Sequence, residues 1–93
     1  MNSYEALLIL DPNIPEADVA GFVQSFEKDI TDDGGAIDQR DIQGKKPLAY
    51  KIKGQTDGVF TLLNFKLPSS SVKKMERKLK LAAQVIRYLL IKN

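Results

Sequence analysis

The chain contains no histidine, no cysteine and no tryptophan. Without cysteine there is no disulfide scaffold and no thiol chemistry, and without either cysteine or histidine the usual structural zinc sites are excluded. The missing histidine also removes the side chain that most often acts as general acid or base near neutral pH. No apolar run approaches the roughly 18 residues that a membrane-spanning helix needs. The opening residues Met1-Asn2-Ser3-Tyr4-Glu5 carry no basic, apolar targeting segment and lead straight into a strand-like run. What is left is 93 residues, 43% hydrophobic and 28% charged, expected to form one intracellular domain over residues 1–93 that is held by packing alone.

The formal net charge of +2 hides a division at Gly44. Residues 1–44 carry ten acids against Lys28 and Arg40, a net of −8, whereas residues 45–93 carry twelve bases against Asp57 and Glu76, a net of +10. Such polarity points to a charged partner, nucleic acid first, unless the halves interleave in the fold and neutralise each other. Eleven of the fourteen bases are lysine. Lysine meets phosphate as a point charge and does not read base edges in a bidentate fashion, so positioning contacts are expected over sequence-reading ones.

Tyr4 to Leu10 is a short apolar run bounded by Asp11-Pro12-Asn13, the length and flanks of a buried strand. Pro15 suits the first turn of a helix, and Val19, Phe22, Val23, Phe26 and Ile30 then recur on one helical face until Gly34-Gly35 ends it. Residues 36–53 read as an interrupted strand, with Gly44 suggesting a bulge and Pro47 requiring an edge. Gly54 to Gly58 reads as a hairpin turn, and Val59 to Leu67 as the next strand. Ser69, Ser70 and Ser71 offer hydroxyls to cap a second helix with the apolar stripe Val72, Met75, Leu79 and Ala82. A last strand covers Val85 to Ile91. The order β-α-β-β-α-β predicts an α+β, ferredoxin-like sandwich. Its four-stranded antiparallel sheet has order 4-1-3-2, with both helices on one face.

Strand parity exposes a surplus of apolar residues. Val59, Thr61, Leu63, Phe65 and Leu67 should face the helices, which sends Phe60 and Leu62 to the open face. The first strand adds Leu7 and Ile9 there. A half-solvated sheet normally alternates apolar with polar residues, so Leu7, Ile9, Phe60 and Leu62 form a candidate protein-contacting patch.

Catalysis has little to work with. No glycine-rich phosphate loop occurs, and Asp29, Asp32 and Asp33 lack the loop geometry of a calcium site. A ferredoxin-like acylphosphatase would need a cationic first loop, but here that loop is Asp11-Pro12-Asn13-Ile14. The RNA-recognition motif shares the topology, yet the positions of its stacking aromatics, counted from Gly58, hold Val59, Thr61 and Asn64. No catalytic residue, metal site or cofactor is expected. Lysines that track an RNA backbone fit the residues better, with Lys45, Lys46, Lys51 and Lys53 gathered on one edge strand beside Tyr50.

The stretch Gly44-Lys45-Lys46-Pro47-Leu48-Ala49-Tyr50-Lys51-Ile52 resembles the basic Leu-Ala-Tyr segment of the bacterial small-subunit ribosomal protein six family. Tyr4-Glu5, Pro12-Asn13 and Val85-Ile86-Arg87 resemble the same family in register, so that the likeness covers essentially the whole chain. The resemblance implies a non-catalytic, cytoplasmic constituent of the small ribosomal subunit. It also implies binding to the central domain of small-subunit ribosomal RNA as a heterodimer with ribosomal protein eighteen. On that basis Lys45, Lys46, Tyr50 and Arg87 are expected RNA or partner contacts. Lys53, from the lysine cluster of the edge strand, joins them as an expected RNA contact, and Leu7, Ile9, Phe60 and Leu62, from strand parity, are the expected partner contacts. The competing expectation is a ferredoxin-like protein-interaction or self-dimerising module with no RNA role, and weak self-association is an expectation for the isolated chain.

Overall fold

The computed structural model describes residues 2–93. Its elements are β1 (Asn2–Leu10), α1 (Glu16–Asp32), β2 (Ala36–Ile52), β3 (Gln55–Leu67), α2 (Val72–Leu81) and β4 (Val85–Lys92). The sheet order is β2-β3-β1-β4 and every pairing is antiparallel, the predicted 4-1-3-2 order read from the other edge. None of the described helices is long and apolar enough to cross a membrane.

The core lies between the sheet and the helices. Tyr4, Ala6, Leu8 and Leu10 of β1 and Leu63, Phe65 and Leu67 of β3 meet Val19, Val23, Phe26 and Ile30 of α1 and Met75 and Leu79 of α2. Phe65 stacks on Tyr4 at 5.9 Å between ring centroids and meets Phe26 edge-on at 6.1 Å. Thr61 is also fully buried on this face, and among the described residues its hydroxyl has no hydrogen-bond partner. An unpaired buried hydroxyl costs free energy that a methyl group of the same shape does not. Thr61→Val is therefore expected to stabilise the protein by about 1 kcal/mol, read as a rise in the denaturant midpoint; a fall would show a hydrogen bond to the hydroxyl in solution.

Glycine ends α1 as the sequence indicates, and the geometry gives the reason. Gly34 takes φ +87°. Its N–H donates to the Thr31 carbonyl at 3.1 Å, while the Gly35 N–H donates to that of Ile30 at 2.9 Å. These two bonds form a Schellman motif that satisfies the last carbonyls of the helix. Gly35 passes so close to β3 that a Cβ there would strike the Lys66 backbone carbonyl.

Three local readings differ from the structure. Ala82, read into the stripe of the second helix, follows α2 in an extended conformation that turns the chain toward β4. The hairpin turn is only Lys53-Gly54, with φ of +49° and +78°, and Gln55 to Gly58 already belong to β3. Positive φ at both central residues gives the turn a twist that matches the strands, so the ladder continues almost to the tip. The serines before α2 do not cap it through their side chains. Ser69–Ser71 form a 3-10 turn that runs directly into the helix, with the Ser71 N–H bonded to the Pro68 carbonyl at 2.9 Å. Ser71 consequently sits in the α region and not in the extended conformation a capping side chain requires.

Candidate nucleic-acid and partner interface

Register assigns every strand residue to a face. Leu7 pairs with Leu62 and Leu89, and Ile9 with Phe60 and Arg87. All of these lie on the sheet face away from the helices. Leu7, Phe60 and Leu62 are half-buried, while Ile9 is nearly covered because its side chain lies over Gly58. The four predicted patch residues are thus contiguous in the centre of the open face. The most exposed apolar residues on this face lie on β4 and were missed: Leu89 is 53% exposed and Ile91 43%. Their signal was present in the alternation Arg87, Leu89, Ile91, which separates from Tyr88 and Leu90 by parity.

The candidate RNA residues divide into three places. Lys45 pairs with Val59 and lies on the helix side of the sheet, at the notch lined by Ile14, Val19 and Ile42. Its neighbour Lys46 pairs with Gly58 and faces the other way, with Nζ 5.8 Å from the centre of the Phe60 ring. At that distance the ammonium is attracted by the ring face, so an expected RNA contact shelters an expected partner contact. The remaining three come together across the sheet. Residues 48–51 bulge out of the β2–β3 ladder between the pairs Pro47–Asp57 and Ile52–Gln55. This slack lets the hairpin tip curl around the end of the sheet where β1 finishes and β4 begins. There Arg87 Nη1 donates to the Tyr50 hydroxyl at 2.6 Å, and Asn13 Nδ2 donates to Gln55 Oε1 at 3.4 Å. Lys53 shares a shallow depression with Arg87 and Lys80. Tyr50 and Arg87, on opposite edges of the sheet, thereby become neighbours.

Because the Tyr50–Arg87 bond is exposed, its contribution to global stability is small. Tyr50→Phe is expected to change unfolding free energy by less than about 1 kcal/mol while raising hydrogen-exchange rates in residues 48–55. Unchanged exchange there would show that the contact does not hold the tip.

Ion pairs decide how far the two charged halves cancel. Lys78 binds Asp29 at 3.0 Å, Lys74 binds Asp33 at 3.2 Å and Lys66 approaches Asp38 at 4.0 Å. Asp29 and Asp33 stand at the C-terminal end of α1, where the helix dipole disfavours negative charge and no basic residue occupies the last turn. The α2 lysines offset that. By contrast, among the described residues no carboxylate lies within 4.0 Å of Lys45, Lys46, Lys51, Lys53 or Arg87. Neutralisation is confined mainly to the helix seam, and the hairpin keeps its positive charge.

A sequence model described as ribosomal protein S6 matches residues 3–92. The small ribosomal subunit protein bS6 of an Arthrobacter species is 37% identical over 87 residues, covering 94% of this chain and 86% of its own. The bS6 protein of Clostridium acetobutylicum is 35% identical over 91 residues, with 98% and 96% covered. Among solved structures, the 30S ribosomal protein S6 of Thermotoga maritima superposes with a TM-score of 0.94 at 26% identity, covering 99% of this chain and 87% of that one.

Proposed function

The chain belongs to the ribosomal protein S6 family, and from that premise we propose that it binds small-subunit ribosomal RNA as a heterodimer with ribosomal protein eighteen, without catalysing a reaction. Family membership makes it a protein of the small subunit of the cytoplasmic ribosome; a purely structural role there and contact with ribosomal RNA are parts of the proposal. The observation that supports the finer reading is the pairing of two unmet demands on one side of the molecule. An apolar sheet face, Leu7, Phe60, Leu62, Leu89 and Ile91, lies uncovered by the helices. Lys46 stands over its Phe60 and Arg87 at its β4 end, with Lys53 beside Arg87 at the rim, and among the described residues no carboxylate lies within 4.0 Å of these cations. Apolar surface of this kind is buried by a protein, and unpaired lysines are met by phosphate.

The test is binding to a central-domain ribosomal RNA fragment, with and without protein eighteen, at two salt concentrations. Tight, salt-sensitive binding that requires the second protein is expected. No binding under any condition by a folded protein overturns the reading. Self-association through the open face is separated in the same experiment, because apolar burial responds little to salt. Lys45 and Lys46 point to opposite sides of an edge strand, so a phosphate backbone following that edge can reach both. Lys45→Ala combined with Lys46→Ala is expected to lower the salt slope by about two. An unchanged slope assigns the pair to protecting the strand edge from aggregation.

A further inference from the structure

The second helix carries Lys73, Lys74, Arg77, Lys78 and Lys80, and the structure sorts these five bases into two rows. Lys74 and Lys78, four residues apart, turn toward α1 and are held by Asp33 and Asp29 at 3.2 and 3.0 Å. Lys73, Arg77 and Lys80 recur at i, i+4 and i+7 and so share a different stripe, away from α1. All three are exposed, and among the described residues no carboxylate lies within 4.0 Å of any of them. That includes Glu76, the one acid of the helix, which is half-buried beside the stripe. At about 1.5 Å rise per residue the three cations span roughly 10 Å of helix axis. The stripe does not end with the helix. Lys80 lines the same depression as Lys53 of the hairpin tip and Arg87 of β4.

We propose that this outer stripe of α2, Lys73, Arg77 and Lys80, is a second RNA-backbone contact, continuous at Lys80 with the cluster of Lys53 and Arg87. The inference rests on the RNA-binding reading above and extends it from the hairpin to the helical layer. The chemistry recognised is a row of phosphates. Two of the three cations are flexible lysine point charges, and no aromatic side chain stands in the stripe to stack a base. An acidic protein surface would present discrete carboxylates, whereas this row runs unbroken: Asp33 and Asp29 are held by Lys74 and Lys78, and among the described residues Glu76 pairs with none of its cations. A polyanion is the complement of a charge row that the fold leaves uncompensated along its length.

The test compares three proteins for binding the central-domain RNA fragment in the presence of protein eighteen, across a salt series. They are the parent, the outer-row variant Lys73→Ala/Arg77→Ala/Lys80→Ala, and the inner-row variant Lys74→Ala/Lys78→Ala. Circular dichroism and thermal unfolding check that each is folded. The outer-row variant is expected to lower the slope of log K against log salt by about three, with at least a tenfold loss of affinity at moderate salt. The inner-row variant is expected to change the slope by less than about one. If the parent binds and the outer-row slope matches it, the stripe is not a contact and only this inference falls. Equal losses from the two rows also overturn it, since net charge and not position would then be responsible. If the parent does not bind the RNA at all, the underlying function falls and takes the stripe with it.

Discussion

Phe60→Ser combined with Leu89→Asp is expected to weaken association with ribosomal protein eighteen at least 30-fold, about 2 kcal/mol, while the protein remains folded. The two side chains come from β3 and β4 and flank β1, so together they sample the width of the apolar face. Phe60 is the large ring at its centre, packed beside Ile9 and under the Lys46 ammonium. Aromatic anchors of this kind carry a disproportionate share of interface energy when a partner completes their desolvation. Leu89 is more than half exposed, so its replacement removes little from the isolated fold and places a charge where apolar surface would be buried. Titration calorimetry measures the effect. Unaltered affinity would take the open face out of the heterodimer interface. Loss of the folded state would move the test to Leu89→Asp alone.

Phe65→Ala is expected to cost about 3–5 kcal/mol of folding stability. That is a large part of the roughly 5–15 kcal/mol typical of a domain this size. Phe65 is fully buried on the helix side of β3 and touches a ring on each of two other elements, Tyr4 of β1 and Phe26 of α1. Removing it opens a void that three elements would have to collapse together to fill, which close-packed interiors resist. Urea unfolding with an unchanged m-value reads the loss directly. A cost below about 1 kcal/mol would mean that the ring is not a keystone of this core. Phe65→Leu, which preserves apolar volume better, should fall well below the alanine value.

Phe60 and Phe65 lie on opposite faces of one strand, and that alternation was the most informative pattern in the chain. Val59 to Leu67 divides cleanly into an inward and an outward set because a strand turns successive side chains to opposite faces. The helix stripe beginning at Val19 was legible for the same kind of reason, as was the edge position of the strand containing Pro47. Capping was harder to read. Ser69, Ser70 and Ser71 have the composition of a cap, but whether a serine caps depends on its backbone conformation, and the preceding Pro68 starts a 3-10 turn that takes over the bonding. The hairpin turn reads from composition as Gly54 to Gly58 and not as Lys53-Gly54, because a lysine at positive φ is uncommon and has no compositional mark.

Period and punctuation along the chain were therefore enough for the fold, for placing Leu7, Ile9, Phe60 and Leu62 on the open sheet face, and for the basic character of the second half. Each follows from interactions between residues close in sequence or from the fixed geometry of one element. Packing alone decided the rest. Asp29 and Asp33 meet Lys78 and Lys74 because two helices cross the same sheet face. Lys45 and Lys46, adjacent in the chain, part to opposite sides of a strand. Tyr50 and Arg87, at opposite edges of the sheet, meet because a four-residue bulge lets a hairpin fold around its end. A charge at one position carries no record of which distant charge will face it. That is set by the register and the layer order, and these exist only once the apolar faces have found each other.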